Sequence, residues 1–155
     1  MERNSRDFAR RIRIIDENAE AACDFFVQAS SLKNTVLKEV FYPKYVTPEH
    51  YNKCKVSNDA GYCGLFSLTF TTPSAARAFY DALPCAKGPS LGTNFTLACP
   101  YTILAHYCEL EWAAEYGIEE HIVRISVGME DKRMLLEGFT EALKAAEATL
   151  VDSNP

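Results

Sequence analysis

The chain has 155 residues, 48% of them hydrophobic and 24% charged, and a formal net charge of −5. That length suits one domain, because a second independent core would leave both pieces small, and the composition is that of a folded protein. A net negative chain also lacks the clustered Lys and Arg that neutralise phosphates on a duplex, so nucleic acid is not an expected partner.

The first segment is polar, "MERNSRDFARRIRIID", without the apolar stretch of a secretory signal. Phe8, Ile12, Ile15, Ala19, Ala22 and Phe26 recur at steps of four and three, which predicts a long helix with one apolar stripe. Its basic side, Arg3, Arg6, Arg10, Arg11 and Arg13, could suit a membrane surface or calmodulin. Asp7, Asp16, Glu17 and Glu20 dilute it, and a solvated face is the stronger reading. "NTVLKEVFYP" reads as a strand over residues 36–42, stopped by Pro43, and a loop with short helical turns runs to Gly61. In "GLFSLTF", Phe66, Leu68 and Phe70 share one face, and Leu65, Ser67 and Thr69 the other. Thr72-Pro73 supplies a cap and a preorganised first turn, for a helix whose buried side is Ala76, Phe79, Tyr80 and Leu83.

"CAKGPSLGTNFTLACP" is too rich in Gly and Pro for a helix, and two short strands are expected, near residues 87–91 and 95–98. "ELEWAAEYG" reads as a short helix closed by Gly117. "HIVRISVGMED" alternates, with Val123, Ile125 and Val127 on one face and Ile122, Arg124 and Ser126 on the other. Gly128 breaks the strand and Asp131 is placed to cap a last helix carrying Leu136, Phe139, Leu143, Ala146 and Leu150. The order, with a hairpin-like middle, predicts an α+β fold: a largely antiparallel sheet with helices on one face and the other face open to line a cleft.

No apolar run approaches the roughly 20 residues that span a bilayer, so a cytoplasmic, non-membrane protein is expected. The six cysteines, Cys23, Cys54, Cys63, Cys85, Cys99 and Cys108, show no C-x-x-C spacing and are read as free thiols. The sequon at Asn94 is then chance. His50, His106 and His121 have no zinc-site spacing, no nucleophile elbow, P-loop or dinucleotide fingerprint occurs, and Glu109, Glu111, Glu119 and Glu120 read as surface carboxylates.

"NAEAACDFF", "GLFSLTF", "AFYDAL", "GPSLGTNFTLACP" and "GIEEHIVRISVGMED" occur in the order, and at about the spacing, of the C-terminal region of cystathionine gamma-synthases. On these motifs the whole chain resembles the small domain of the pyridoxal-phosphate-dependent Cys/Met-metabolism family. V-R-x-S-V-G-x-E-D preceded by S-L-G is the more specific part, and "TNFTLACPYTILAHY" is similar to the fungal branch. Pro89 before S-L-G, and Thr93-Asn94-Phe95 in place of a glycine-rich continuation, depart from other branches.

The resemblance implies the C-terminal domain of fold-type I pyridoxal-phosphate enzymes, residues 1–30 forming a long linking helix and 31–155 an α+β lobe. It implies that Arg124 binds the α-carboxylate of an amino-acid substrate and that Ser90 contacts the same group. A planar guanidinium can meet a carboxylate bidentately, each charge-assisted bond contributing about 1.5–3 kcal/mol. It implies pyridoxal phosphate as the cofactor of the complete enzyme. The family's large domain, with its Schiff-base lysine and phosphate-binding residues, has no counterpart here. Met1 falls where the longer proteins have an internal methionine, so a truncated product or a lobe complementing a separately encoded domain is expected.

The implied activity joins cysteine to an activated homoserine in methionine biosynthesis, with the chain alone inactive and not holding the cofactor. The implied partners are the large cofactor-binding domain or full-length homologue subunits. Gamma-lyase and homoserine sulfhydrylase chemistry share this lobe and stay open, as does a catalytically dead module that docks on full-length relatives. Two structural expectations follow: Phe8, Ile12 and Ile15 lack cover, and Arg124 projects near Ser90 into an open concavity without a fixed carboxylate partner.

Overall fold

A computed structural model describes residues 2–33 and 35–151. Two-residue alternation builds its sheet. The strands β1 (Leu37–Phe41), β2 (Leu65–Phe70), β3 (Ala86–Lys87), β4 (Leu97–Pro100) and β5 (Val123–Ser126) lie in the order β1-β2-β5-β4-β3. All neighbours are antiparallel except β3 and β4. Phe66, Leu68, Val123, Ile125 and Val127 face one side and are buried there, as their alternation requires.

Helices α2 (Phe8–Ser30), α4 (Pro73–Ala82) and α7 (Lys132–Val151) cover that side. Phe26 of α2 is the hub: its ring centroid lies 5.8 Å from Phe66, 5.8 Å from Phe79 and 5.2 Å from Phe139. Burying each such side chain contributes about 1.5–3 kcal/mol, and the ring pairs add about 0.5–1.5 kcal/mol. Thr72 Oγ1 accepts from the Ala75 amide at 3.2 Å and starts α4. Asp131 Oδ1 accepts from the Arg133 and Met134 amides at 3.1 Å and starts α7. Gly138 sits inside α7 because a Cβ there would stand 2.6 Å from Pro84 Cγ.

The α+β class and the mostly antiparallel sheet agree with the sequence expectation. Several details do not. The middle is no hairpin: Ala86 pairs with Leu97 and Lys87 with Ala98 in parallel, across a loop over residues 88–96. The second short strand begins at Leu97, two residues later than expected. Helix α5 (Tyr101–His106), a 3₁₀ turn (Tyr107–Glu109) and α6 (Leu110–Glu115) follow, where only the last was expected. The N-terminal helix is broken into α1 (Glu2–Ser5) and α2, and its stripe is exposed at Phe8 and Ile12 but buried at Ile15, which Gly64 meets at close range. In α7, Leu136 is only half-buried and Leu150 is exposed, while Leu135 and Ala142 complete the buried side. Nor is the second face of the sheet bare, since Leu97, Cys99 and Ser126 are buried on it. The remaining short helix, α3 (Pro48–Asn52), lies in the loop before β2.

Candidate functional site

Arg124 lies mid-strand in β5, opposite Ser67 of β2 and Cys99 of β4. Strand alternation sends its side chain away from the Val123, Ile125 and Val127 side. Two groups hold the guanidinium. Its Nη2 donates to the Pro89 carbonyl at 2.6 Å, and its Cζ lies 4.6 Å from the centroid of the Tyr101 ring. Among the described residues no carboxylate pairs with it. Burial pushes the neighbouring Cys99 thiol above its usual range, and the Arg124 charge opposes that shift with the smaller effect. Cys99 is therefore a packed thiol, not a thiolate nucleophile.

Ser90 follows Pro89 in the loop over residues 88–96, is exposed, and makes no hydrogen bond among the described residues. The loop is fastened at both ends and in the middle. Lys87 Nζ donates to the carbonyls of Leu83 and Tyr80 at the end of α4, and the Gly88 amide donates to Ala98 O at 3.0 Å. The Gly92 amide donates to Ser126 Oγ at 3.2 Å, and Gly92 takes φ +71°, a left-handed conformation that glycine adopts without steric cost.

The far end is tied to the turn after β5. Thr96 Oγ1 donates to Glu130 Oε2 at 2.8 Å and accepts from the Gly128 amide at 3.0 Å, and the Met129 amide donates to Asn94 O at 2.8 Å. A Cβ at Gly128 would stand 2.4 Å from the Phe95 backbone, so this crossing needs glycine. From α2, buried Asn18 Nδ2 donates to Gly128 O at 3.2 Å and to Glu130 O at 2.9 Å.

These bonds give most letters of "RISVGMED" a structural task. Arg124 presents charge, Ser126 holds Gly92, Gly128 allows the close crossing, Glu130 grips Thr96, and Asp131 caps α7. Arg124, Ser90 and Asp131 are legible as functional or capping residues in the sequence. The tasks of Asn18, Thr96 and Glu130 are not legible there, their signal being only their place within the quoted motifs.

The Cys/Met metabolism PLP-dependent enzyme model matches residues 5–144. The chain belongs to that family. Among its relatives, a cystathionine gamma-synthase-like enzyme of Amanita muscaria, iboG2, is 57% identical over 95% of this chain and 26% of its own length. The cystathionine gamma-synthase of Neurospora crassa is 48% identical over 95% of this chain and 23% of its own. Among solved structures, the cystathionine gamma-synthase of Xanthomonas oryzae pv. oryzae in complex with cystathionine superposes with a TM-score of 0.78 at 27% identity, covering 95% of this chain and 37% of that one. Yeast cystathionine gamma-lyase gives 0.78 at 28% identity, over 90% of this chain and 36% of its own. The chain thus spans about a quarter of the length of the curated relatives.

The family depends on pyridoxal phosphate, whose aldehyde takes an amine, so a lysine amine free to reach it is the first requirement. Six of the eight lysines here are engaged elsewhere. Lys87 is bound to two carbonyls and lies over the Tyr80 ring; Lys38 pairs with Glu119, Lys44 with Glu20 and Asp24, Lys132 with Glu17 and Lys144 with Glu141. Lys55 lies over Tyr62, and Lys33 and Lys53 are exposed. Among the described residues no lysine is both buried and unpartnered, as a desolvated Schiff-base amine would be, and the residues present do not by themselves fit a covalently held cofactor. Among the described residues no group of His, Cys, Asp and Glu could hold a metal ion, and no helix is long and apolar enough to cross a membrane.

Proposed function

We propose that this chain is the C-terminal, substrate-carboxylate lobe of a transsulfuration enzyme that joins cysteine to an activated homoserine. Arg124 receives the α-carboxylate and Ser90 donates to the same group. The observation that supports this most is the state of Arg124: a half-buried residue whose guanidinium is held by a neutral carbonyl and a ring, with no acidic partner among the described residues. An arginine already locked to a carboxylate would have to break that pair before accepting another, at a cost of several kcal/mol when partly buried. Here only a neutral contact has to adjust.

The partner this reading requires is the cofactor-bearing remainder of such an enzyme, in the same polypeptide or on a full-length homologue. A cytoplasmic setting and a place in methionine biosynthesis belong to the same proposal. The free cysteines support the cytoplasmic setting, and relatives called cystathionine gamma-synthase support the transsulfuration chemistry. Gamma-lyase and sulfhydrylase chemistry would use the same receptor, and nothing in the Arg124 surroundings favours either.

The test is kinetic. In a chimera carrying this chain in place of the matching quarter of the Neurospora enzyme, Arg124→Lys keeps the charge but loses the two-pronged geometry, and should raise KM for the amino-acid substrate roughly tenfold or more. Ser90→Ala should raise it less. Unchanged saturation in Arg124→Lys would return the arginine to a scaffold role.

A further inference from the structure

The guanidinium of Arg124 is aimed from beneath, and the group that aims it lies outside the "VRISVGMED" motif. Tyr101 is the first residue of α5, directly after Pro100 of β4. Its amide donates to Ile122 O at 3.2 Å, two residues before Arg124, so its backbone is fastened beside the arginine's own strand. Its ring is braced edge-on by His106, centroid to centroid 5.9 Å at 75°, and His106 Nδ1 lies 2.7 Å from Glu109 Oε1. The ring is thus restrained through its backbone and on one side before the arginine meets it.

We propose that Tyr101 is a positioning residue for the carboxylate receptor, an inference that rests on the receptor reading of Arg124. A long arginine side chain loses rotamer freedom when it must hold one geometry. The Tyr101 face holds the guanidinium plane by cation–π attraction and contact, and Pro89 O fixes one edge, leaving the other N–H groups in a defined plane for a carboxylate. The attraction resides in the ring face. Among the described residues the Tyr101 hydroxyl makes no hydrogen bond, so phenylalanine should serve in its place and an aliphatic residue should not.

The test reads the arginine itself, in the chimera with the remainder of the Neurospora enzyme, labelled with ¹⁵N at arginine. The Arg124 Nε–Hε resonance should be displaced upfield by the ring current, and should move on titration with L-cystathionine but not with L-alaninamide, which has no carboxylate. Tyr101→Phe should keep both the displacement and the affinity. Tyr101→Leu should lose the displacement and bind L-cystathionine about two- to fivefold more weakly, the worth of one such contact.

An Hε resonance at its ordinary position in the unsubstituted chimera would overturn the proposal without any variant. So would a leucine variant with unchanged affinity, and in that case the carboxylate response of Arg124 would still stand. If the unsubstituted chimera shows the ring-current displacement yet does not respond to L-cystathionine, the receptor reading fails and the positioning role fails with it.

Discussion

The two faces of β5 are held by different physics. On one side Val123, Ile125 and Val127 join Phe26, Phe66 and Phe139 in a buried apolar layer, where contact is non-directional and bulk decides. On the other, Arg124 and Ser126 belong to a set of single hydrogen bonds to Pro89, Gly92 and, through the following turn, Asn94 and Thr96. Apolar bulk determines that the sheet forms. Directed bonds determine where the loop beside Arg124 lies, and there one atom matters more than volume.

The apolar face should break hardest. Phe26→Ala removes the ring that Phe66, Phe79 and Phe139 pack against and should cost about 3–5 kcal/mol in urea unfolding; a loss below about 1 kcal/mol would mean the core closes around the gap. On the directed face, Gly128→Ala forces a Cβ against the Phe95 backbone and should cost about 1–3 kcal/mol. It should also displace the amide resonances of Gly92 and Met129 while leaving those around Phe26 in place. A spectrum unchanged at Gly92 would show that the loop does not depend on this crossing. Asn18→Ala deletes both donors from α2 and should cost about 1–2 kcal/mol, with the same resonances affected.

The smallest effect is electrostatic. Burial raises the Asp16 pKa, a larger influence than the Cys63 amide that lowers it. The fold therefore favours protonated Asp16, and stability falls as pH rises from the ordinary aspartate range through the raised value. Asp16→Asn should flatten that part of the profile and give a slightly higher thermal midpoint at neutral pH. Parallel profiles for the two proteins would contradict it.

The periodic parts of this fold were legible. Alternation in "GLFSLTF" and "HIVRISV" assigned the buried face of both central strands, and Thr72-Pro73 and Asp131 marked two helix starts. The parallel pairing of β3 with β4 was not, because a two-residue strand carries no period from which direction can be read. Helix α5 was hidden behind Pro100 in a stretch that begins as a strand. At the candidate site, the face on which Arg124 lies followed from alternation. Its contacts with Pro89 O and Tyr101 did not, since a single bond between residues distant in sequence leaves no pattern along the chain. The same holds for Asn18, which reaches from α2 to the turn after β5 across more than a hundred residues.

The measurement that tests the receptor role of Arg124 most directly is a crystal structure of the chimeric enzyme with L-cystathionine bound. Both oxygens of one α-carboxylate should lie on the Arg124 guanidinium, with the Ser90 hydroxyl within hydrogen-bonding distance of the same group and Tyr101 still beneath the arginine. A carboxylate bound to other residues, with Arg124 unmoved against Pro89, would contradict the receptor role.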